Sequence, residues 1–329
     1  MENSSYTKLA MVALAAGLAM PMAASACELD RPVKLADGNW DAVQVLNSIA
    51  GKIIETGYDC QVEMVTGAMV PLFTALQKND VDIFMDIWPS NNVEIWGKTL
   101  EAGAVDLGVI YSDATEGWYV PRYVIDGDSS RGIEAMATDL KSVEDLSKYK
   151  DLFADPEAPG KGRFLNCPIG WGCEQTNNNK LEAYNLLDSF TNFKPGSGAA
   201  LDAAFASAYK RGKPIVGYYW EPTWVMGLYD MIKLEEPACE GSNANACAFA
   251  LAEAHVGGSA DFVAQADALE TFFSSLKTNS KEISQMLAYM QENSGADRDD
   301  AALNFLKTQE ATWSQWVPAD VAAKVKAAL

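Results

Sequence analysis

The stretch VDIFMDIW, residues 81–88, decides the fold class because it completes an alternation of strands and helices. Two earlier strand-like runs are PVKLAD, residues 32–37, and CQVEMV, residues 60–65. Residues 40–56 and 70–80 lie between these runs and carry apolar side chains at helical spacing. This βαβαβ order predicts a parallel sheet with helices on its faces.

A second unit of the same kind follows in the middle of the chain. GRFLNCP, residues 162–168, and KPIVGYYW, residues 213–220, are predicted strands. Residues 178–187 and 201–212 have the apolar spacing of helices, and the region after Cys247 is predicted to be mostly helical. The sequence therefore predicts an α/β protein of two lobes, each with a central sheet flanked by helices, and a ligand cleft between them.

The amino terminus predicts export from the cytoplasm. Lys8 precedes the apolar run LAMVALAAGLAM, and ASA at residues 24–26 is a small-residue cleavage site. We therefore interpret residues 1–26 as a signal peptide that is cleaved near Ala26, which places the mature protein in the periplasm. A lipid anchor on Cys27 is the alternative, although Ala24 stands where a lipoprotein signal favours Leu.

The cysteines agree with export, since an even number in an exported chain is typical of disulfides. Local spacing pairs Cys167 with Cys173 and Cys239 with Cys247, which leaves Cys27 for Cys60. A zinc site is disfavoured because these short pairs lack C-x-x-C spacing and the only histidine is His255. We expect neither a metal nor a cofactor.

The charge of the chain and its missing motifs exclude several function classes. Among 329 residues the formal net charge is −20, which argues against nucleic acid and anionic lipid as partners. The sequence lacks G-x-S-x-G, H-E-x-x-H and phosphate-loop motifs, so we do not expect an enzyme. A secreted glycosidase is the alternative, with Glu116 and either Glu174 or Glu221 as its two carboxylates. GADRDDAA, residues 295–302, is interpreted as a solvated helix start rather than a calcium loop.

Tryptophans are concentrated where predicted strands end, which is where α/β sheets bind ligands. Glycine or proline lies within two residues of each of these tryptophans, a context typical of surface turns. Exposed indoles that converge on one cleft indicate a binding site. These four are Trp40, Trp88, Trp171 and Trp220. The helical context of Trp96, Trp313 and Trp316 predicts core packing instead.

An aromatic cage of this kind favours a cation that loses its water easily, above all a methylated ammonium. Each ring face contributes about 0.5–1 kcal/mol when exposed and about 2 kcal/mol when desolvated. Three or four faces supply roughly 6–8 kcal/mol, close to the ~8 kcal/mol of a micromolar complex. Sugars also stack on tryptophan, so a carbohydrate-binding protein is the closest alternative.

The segment NCPIGWGCE, residues 166–174, predicts a rigid mount for Trp171. A disulfide and two flanking glycines would hold the indole before ligand arrives, which reduces the ordering cost of binding. The same turn directs the amides of Gly172 and Cys173 towards the cleft, where they can hold an anionic oxygen. A cation cage beside such amides describes a receptor for a zwitterion.

These motifs, together with MDIWPSNN (85–92) and VGYYWEPTW (216–224), resemble the periplasmic substrate-binding proteins of glycine betaine/proline betaine ABC importers. The resemblance covers essentially the whole mature chain. It implies a type II periplasmic-binding-protein fold that closes on its ligand and docks on a membrane permease. By position it places the cage on Trp88, Trp171 and Trp220, and the carboxylate-binding amides on Gly172 and Cys173.

The chain departs from this family at one position. Where betaine binders of this kind place a histidine after the W-x-P loop, this sequence has Asn91 or Asn92, which weakens the case for a carboxylate-bearing ligand. Trp40 matches an additional aromatic of choline-binding relatives. Glu116 lies near the lobe crossover, where a carboxylate would balance a trimethylammonium charge or, when protonated, donate to an N-oxide oxygen.

The resemblance therefore implies a monomeric solute receptor for trimethylamine N-oxide or glycine betaine, with choline as an alternative. We expect lobe 1 to comprise residues 27–118 and 236–329, and lobe 2 to comprise residues 119–235. Weaker candidates for the site are Trp118, Tyr119 and Glu221, whereas Trp224 is expected to pack.

Overall fold

The computed structural model describes Met1, residues 27–240 and residues 247–329. The predicted signal peptide therefore lies outside the described residues, apart from Met1. Within the described ranges, no helix combines the length and the apolar character needed to cross a membrane.

The strands include the predicted ones and several that the sequence pattern did not reveal. They are β1 (Val33–Gly38), β2 (Val62–Gly67), β3 (Ile83–Ile87), β4 (Val105–Pro121), β5 (Gly162–Leu165), β6 (Phe190–Phe193), β7 (Gly217–Glu221), β8 (Met231–Lys233) and β9 (Ala252–Gly258). Their order across the sheet is β2-β1-β3-β9-β4-β7-β5-β6, and β8 pairs with β4.

Helices lie between and after these strands along the chain. They are α1 (Asp41–Gly57), α2 (Met69–Gln77), α3 (Val93–Glu101), α4 (Arg122–Asp126), α5 (Gly172–Ala183), α6 (Gly198–Lys210), α7 (Trp224–Leu228), α8 (Ala260–Val263), α9 (Asp267–Ser275), α10 (Ser280–Glu292), α11 (Arg298–Thr308), α12 (Glu310–Trp313) and α13 (Ala319–Ala328). Short 3-10 helices cover Pro89–Asn91, Ser129–Arg131 and Val143–Tyr149.

The long strand β4 joins two groups of paired strands. Its residues up to Ala114 pair with β9, and the residues from Thr115 pair with β7 and then β8. In the first group β1 runs parallel to β2 and β3, and in the second β5 runs parallel to β6 and β7. This arrangement confirms the α/β class and the parallel order predicted for both units. The lobe boundaries at residues 118/119 and 235/236 stay a prediction.

Local sequence explains the first unit. The apolar side chains of α1, such as Leu46, Ile49 and Ile53, recur every three or four residues and are fully buried. β3 is buried along its whole length, as expected for a parallel strand covered on both faces. Trp96 and Trp313 are buried in the core, as their helical context predicted, and so is Trp316.

The region after Cys247 is mostly helical, as predicted, but it also contains a strand that the sequence analysis did not predict. Strand β9 lies there, between β3 and β4 and antiparallel to both. Its alternation of buried and exposed residues is carried by small alanines and ends in two glycines, so it gives little periodic signal. The helices in this region are interrupted, since residues 260–275 contain α8 and α9, and residues 298–313 contain α11 and α12.

The acidic segment at residues 295–302 begins a helix, as interpreted from the sequence. Asp297 is the N-cap of α11 and forms a reciprocal capping box with Asp300. Arg298 extends from this helix start and forms an ion pair with Asp37 at 2.9 Å. The segment therefore connects α11 to the end of β1.

Candidate functional site

One cavity lies where the ends of β1 and β3 face β7 and the start of α5. Its space is about 370 Å³ when the open space at its mouth is included. Of the seven residues predicted for the ligand site, six line this cavity: Trp40, Trp88, Trp171, Gly172, Cys173 and Trp220. The seventh, Glu116, does not line it.

Each indole is positioned by an element boundary or a strand. Trp40 is the N-cap of α1, two residues after β1, and its ring folds back over Gly38. Trp88 follows β3 directly and precedes the proline of a 3-10 turn. Trp171 is the N-cap of α5. Trp220 lies within β7 rather than in a loop after it, which corrects the expectation from sequence.

Three of the four rings form a chain of edge-to-face contacts around the cavity. The ring centroids of Trp40 and Trp171 are 5.5 Å apart with an interplanar angle of 71°, and those of Trp171 and Trp220 are 5.3 Å apart at 72°. The Trp171 indole N–H also donates to Asn39 Oδ1 at 2.9 Å. Trp171 is therefore the central ring, and it connects the α5 start to the loop after β1.

All four indoles are largely withdrawn from solvent, with exposed fractions of 5–8%. They belong to the buried apolar core, and each ring also lines the cavity. Rings in this position are desolvated, and cation–π attraction is strongest there.

The start of α5 provides amides for an anionic group. Gly172 and Cys173 are its first two residues, and in the described part of the chain neither backbone N–H has a hydrogen-bond acceptor. The positive end of the helix dipole adds to this preference for negative charge. The close packing of Asn91 against Gly172 leaves no room for a side chain, since a Cβ there would lie 1.9 Å from the Asn91 carbonyl oxygen.

Asp86 also lines the cavity, and the sequence analysis missed it. Its carboxylate accepts hydrogen bonds from the Trp40 indole at 2.6 Å, the Trp88 indole at 3.0 Å and the Tyr111 hydroxyl at 2.5 Å. Burial raises the pKa of Asp86, and these three hydrogen bonds oppose the rise. Asp86 thus holds two of the four indoles by their polar edges.

Glu116 lies behind the cavity wall. Its carboxylate accepts hydrogen bonds from the Asn91 side-chain amide at 2.9 and 3.0 Å and from the Tyr218 hydroxyl at 2.6 Å. Both of these partners line the cavity. Burial raises the pKa of Glu116 to about 7, and the hydrogen bonds from Tyr218 and Asn91 oppose the rise. Asn91 and Tyr218 can therefore connect Glu116 to a ligand by hydrogen bonds.

The weaker candidates lie elsewhere. Trp118 is fully buried against Phe164, with ring centroids 4.3 Å apart, and its indole donates to Asn177. Tyr119 and Glu221 are outside the cavity lining. Trp224 packs as expected, and its indole donates to Asp202 at 3.1 Å.

The cysteines form the three pairs predicted from sequence, namely Cys27–Cys60, Cys167–Cys173 and Cys239–Cys247. The bond between Cys167 and Cys173 closes the short loop that carries Trp171. The bond between Cys27 and Cys60 occupies the thiol that a lipid anchor would require.

A simple signal marks one of the missed residues. Tyr218 lies two positions before the predicted cage residue Trp220 in β7, and alternate residues of a strand share a face. Asn91 and Asn92 both line the cavity, at the position where the family resemblance implied a histidine. Met69, the first residue of α2, gave no sequence signal.

Comparison with known proteins agrees with this architecture. The family model OpuAC, the substrate binding domain of ABC-type glycine betaine transport systems, matches residues 31–308. Lactococcal OpuAC, in its closed conformation with glycine betaine, superimposes with a TM-score of 0.71 and 18% identity over 88% of this chain and 100% of that chain. This likeness shows the two-lobed periplasmic-binding-protein fold.

Two relatives indicate the range of proteins that this chain resembles. A glycine betaine/proline betaine-binding periplasmic protein of Escherichia coli K12 is 34% identical over 118 residues, which are 36% of this chain and 33% of that protein. A trimethylamine N-oxide-binding protein of Pelagibacter ubique is 24% identical over 204 residues, 62% of this chain and 63% of that protein. The chain thus matches less than two thirds of the length of either relative. Because the family model matches most of its residues, the chain belongs to the family of substrate binding domains of ABC-type glycine betaine transport systems.

Proposed function

We propose that this protein is a periplasmic solute receptor that binds trimethylamine N-oxide or glycine betaine between its lobes and delivers it to an ABC permease. The observation that carries the proposal is one cavity walled by four indoles with the free amides of the α5 start on its rim. The indoles suit a trimethylammonium head, and the amides suit the oxygen of an N-oxide or a carboxylate. The names of the two relatives and the family description support this ligand class.

A binding role is favoured over catalysis by the chemistry of the cavity wall. A glycosidase needs two carboxylates that face each other across the bond to be cleaved. Glu174 instead forms an ion pair with Lys194 at 2.6 Å, and Glu116 is held by Asn91 and Tyr218 behind the wall. We therefore propose a receptor without enzymatic activity, which acts as a monomer and binds no nucleic acid.

The test is titration of the purified protein by tryptophan fluorescence and calorimetry with trimethylamine N-oxide, glycine betaine, choline and a panel of sugars. We expect Trp171→Ala and Trp220→Ala each to weaken binding of the best ligand at least tenfold, because loss of one desolvated ring face removes about 2 kcal/mol. Trp224→Ala is the matched control, since Trp224 is similarly buried but outside the cavity. Undiminished binding in both cage variants, or preferential binding of a sugar, would refute the proposal.

A further inference from the structure

Asp86 is the one charged side chain among the described residues that line the cavity. Its side chain is almost fully buried, with 1% of the residue exposed. A β-bulge in the pairing of β3 with β9 falls between Phe84 and Ile87, and Asp86 has a left-handed backbone with φ of 57°. Bulges redirect side chains next to binding sites, so the strand departs from regular geometry at the residue whose carboxylate reaches the cavity.

The hydrogen-bond partners of Asp86 indicate which charge state the site is built for. An indole N–H can only donate, and Trp40 and Trp88 each donate to a different carboxylate oxygen. Tyr111 adds a third donor to the oxygen that Trp88 contacts. Three donors and two acceptor oxygens match an ionised carboxylate. Among the described residues, no lysine, arginine or histidine forms an ion pair with it.

A buried carboxylate without a cationic partner is unfavourable, and a cation that enters the same cavity removes this penalty. Donation of the Trp40 and Trp88 N–H groups to an anion also polarises both indoles and makes their faces more attractive to a cation. The carboxylate therefore acts on a ligand directly and through the rings it holds.

We propose that Asp86 is the counter-ion of the bound methylated ammonium and, with the start of α5, gives the cavity a fixed polarity. The methylated head lies on the Asp86 side, and the ligand oxygen lies on the side of Gly172 and Cys173. This inference rests on the proposed function and deepens it, because it makes the net charge of the ligand a determinant of affinity. A methylated ammonium cation of the right size is then expected to bind, even though it has no oxygen atom that could accept hydrogen bonds from the amides of Gly172 and Cys173.

The experiment compares two probes of similar size, tetramethylammonium and trimethylamine N-oxide, by calorimetry and by displacement of one probe with the other. Tetramethylammonium carries a full positive charge, whereas the N-oxide has no net charge. We expect the wild-type protein to bind both. In Asp86→Asn, which preserves shape and removes charge, we expect the affinity for tetramethylammonium to fall at least tenfold more than that for the N-oxide.

Asp202→Asn is the matched control. Asp202 is also a buried carboxylate that accepts hydrogen bonds from a tyrosine and a tryptophan, Tyr219 and Trp224, but it lies outside the cage cavity. We expect this variant to keep the wild-type ratio of the two affinities.

The outcomes separate this inference from the proposed function. Equal losses for both probes in Asp86→Asn would mean that Asp86 only positions the indoles, and would overturn the inference. A wild-type protein that binds the N-oxide but not tetramethylammonium would overturn it too, and this measurement does not depend on the folding of any variant. A wild-type protein that binds neither probe nor glycine betaine would reject the proposed function itself.

Discussion

Replacing Gly172 by alanine tests whether ligand binding depends on closure of the two lobes. Gly172 lies at the start of α5, and a Cβ there would stand 1.9 Å from the Asn91 carbonyl oxygen and 2.6 Å from Asn92 Oδ1. Because Cβ atoms are essentially never closer than 3.0 Å to another atom, the Asn91 carbonyl would have to retreat by at least 3.0 − 1.9 = 1.1 Å. In the predicted lobe division these residues belong to opposite lobes, so the retreat reopens the cleft.

The expected loss follows from the cost of one added methyl group at a close-packed contact. Such overpacking destabilises a packed state by about 1–3 kcal/mol. If binding requires the closed state, the affinity for trimethylamine N-oxide or glycine betaine falls by the same free energy, which is about 5- to 150-fold. When the lobes are apart, the ligand-free protein does not form the contact between Gly172 and Asn91. The melting temperature of the ligand-free variant should therefore not fall.

Calorimetry gives the affinity, circular dichroism gives the melting temperature, and small-angle scattering shows whether ligand still compacts the variant. Gly196→Ala is the matched control, since a Cβ at Gly196 would meet no atom within 4 Å. The reasoning fails if Gly172→Ala binds as tightly as the wild type. It also fails if the melting temperature of the ligand-free variant falls, because the contact would then belong to the ligand-free fold.

Three further predictions concern the mount of Trp171 and the role of Glu116. Replacing Cys167 and Cys173 together by serine should weaken binding about two- to tenfold. The reason is that the Trp171 side chain must then be ordered on binding, at a cost of roughly 0.5–1.5 kcal/mol. The same double change at Cys239 and Cys247 is the control and should leave the affinity measured by calorimetry unchanged. In the folded protein Glu116 has a pKa of about 7, against an ordinary value of 4.5. Its contribution to stability is therefore complete below about pH 4.5 and is lost as the pH rises through 7. In urea unfolding, the free energy of unfolding of Glu116→Gln should decline less steeply over this range than that of the wild type, and identical slopes would contradict the assignment. If protonated Glu116 favours an N-oxide oxygen through Asn91 or Tyr218, Glu116→Ala should reduce affinity for trimethylamine N-oxide more than for glycine betaine, and equal losses would reject that role.

Much of the candidate site could be predicted because it follows from local features. The strands that precede Trp40 and Trp88 have clear apolar patterns, and parallel strands bring their carboxyl ends to one edge of a sheet. The spacing of Cys167 and Cys173 around Trp171 likewise involves only a few residues. Local periodicity and short loops leave few alternative arrangements. The positions of these tryptophans at the ends of strands and helices could therefore be predicted without knowledge of the rest of the chain.

Contacts between distant segments could not be predicted from local sequence patterns. Nothing in the sequence around Glu116 indicates that Asn91 and Tyr218 lie between its carboxylate and the cavity. Strand β9 pairs with β3 although about 165 residues separate them, and its small side chains carry little periodic signal. The bulge in this pairing then directs Asp86 to the cavity.

The sequence alone determined an α/β chain with three cysteine pairs and indoles at the ends of its strands, because periodicity and residue spacing act over short distances along the chain. Only the tertiary structure decided which polar groups stand beside those indoles, namely Asp86 on the wall and Glu116 behind it. The physical reason is that burial and hydrogen bonding between remote segments set those neighbours, and many pairings of remote segments are compatible with the same local pattern.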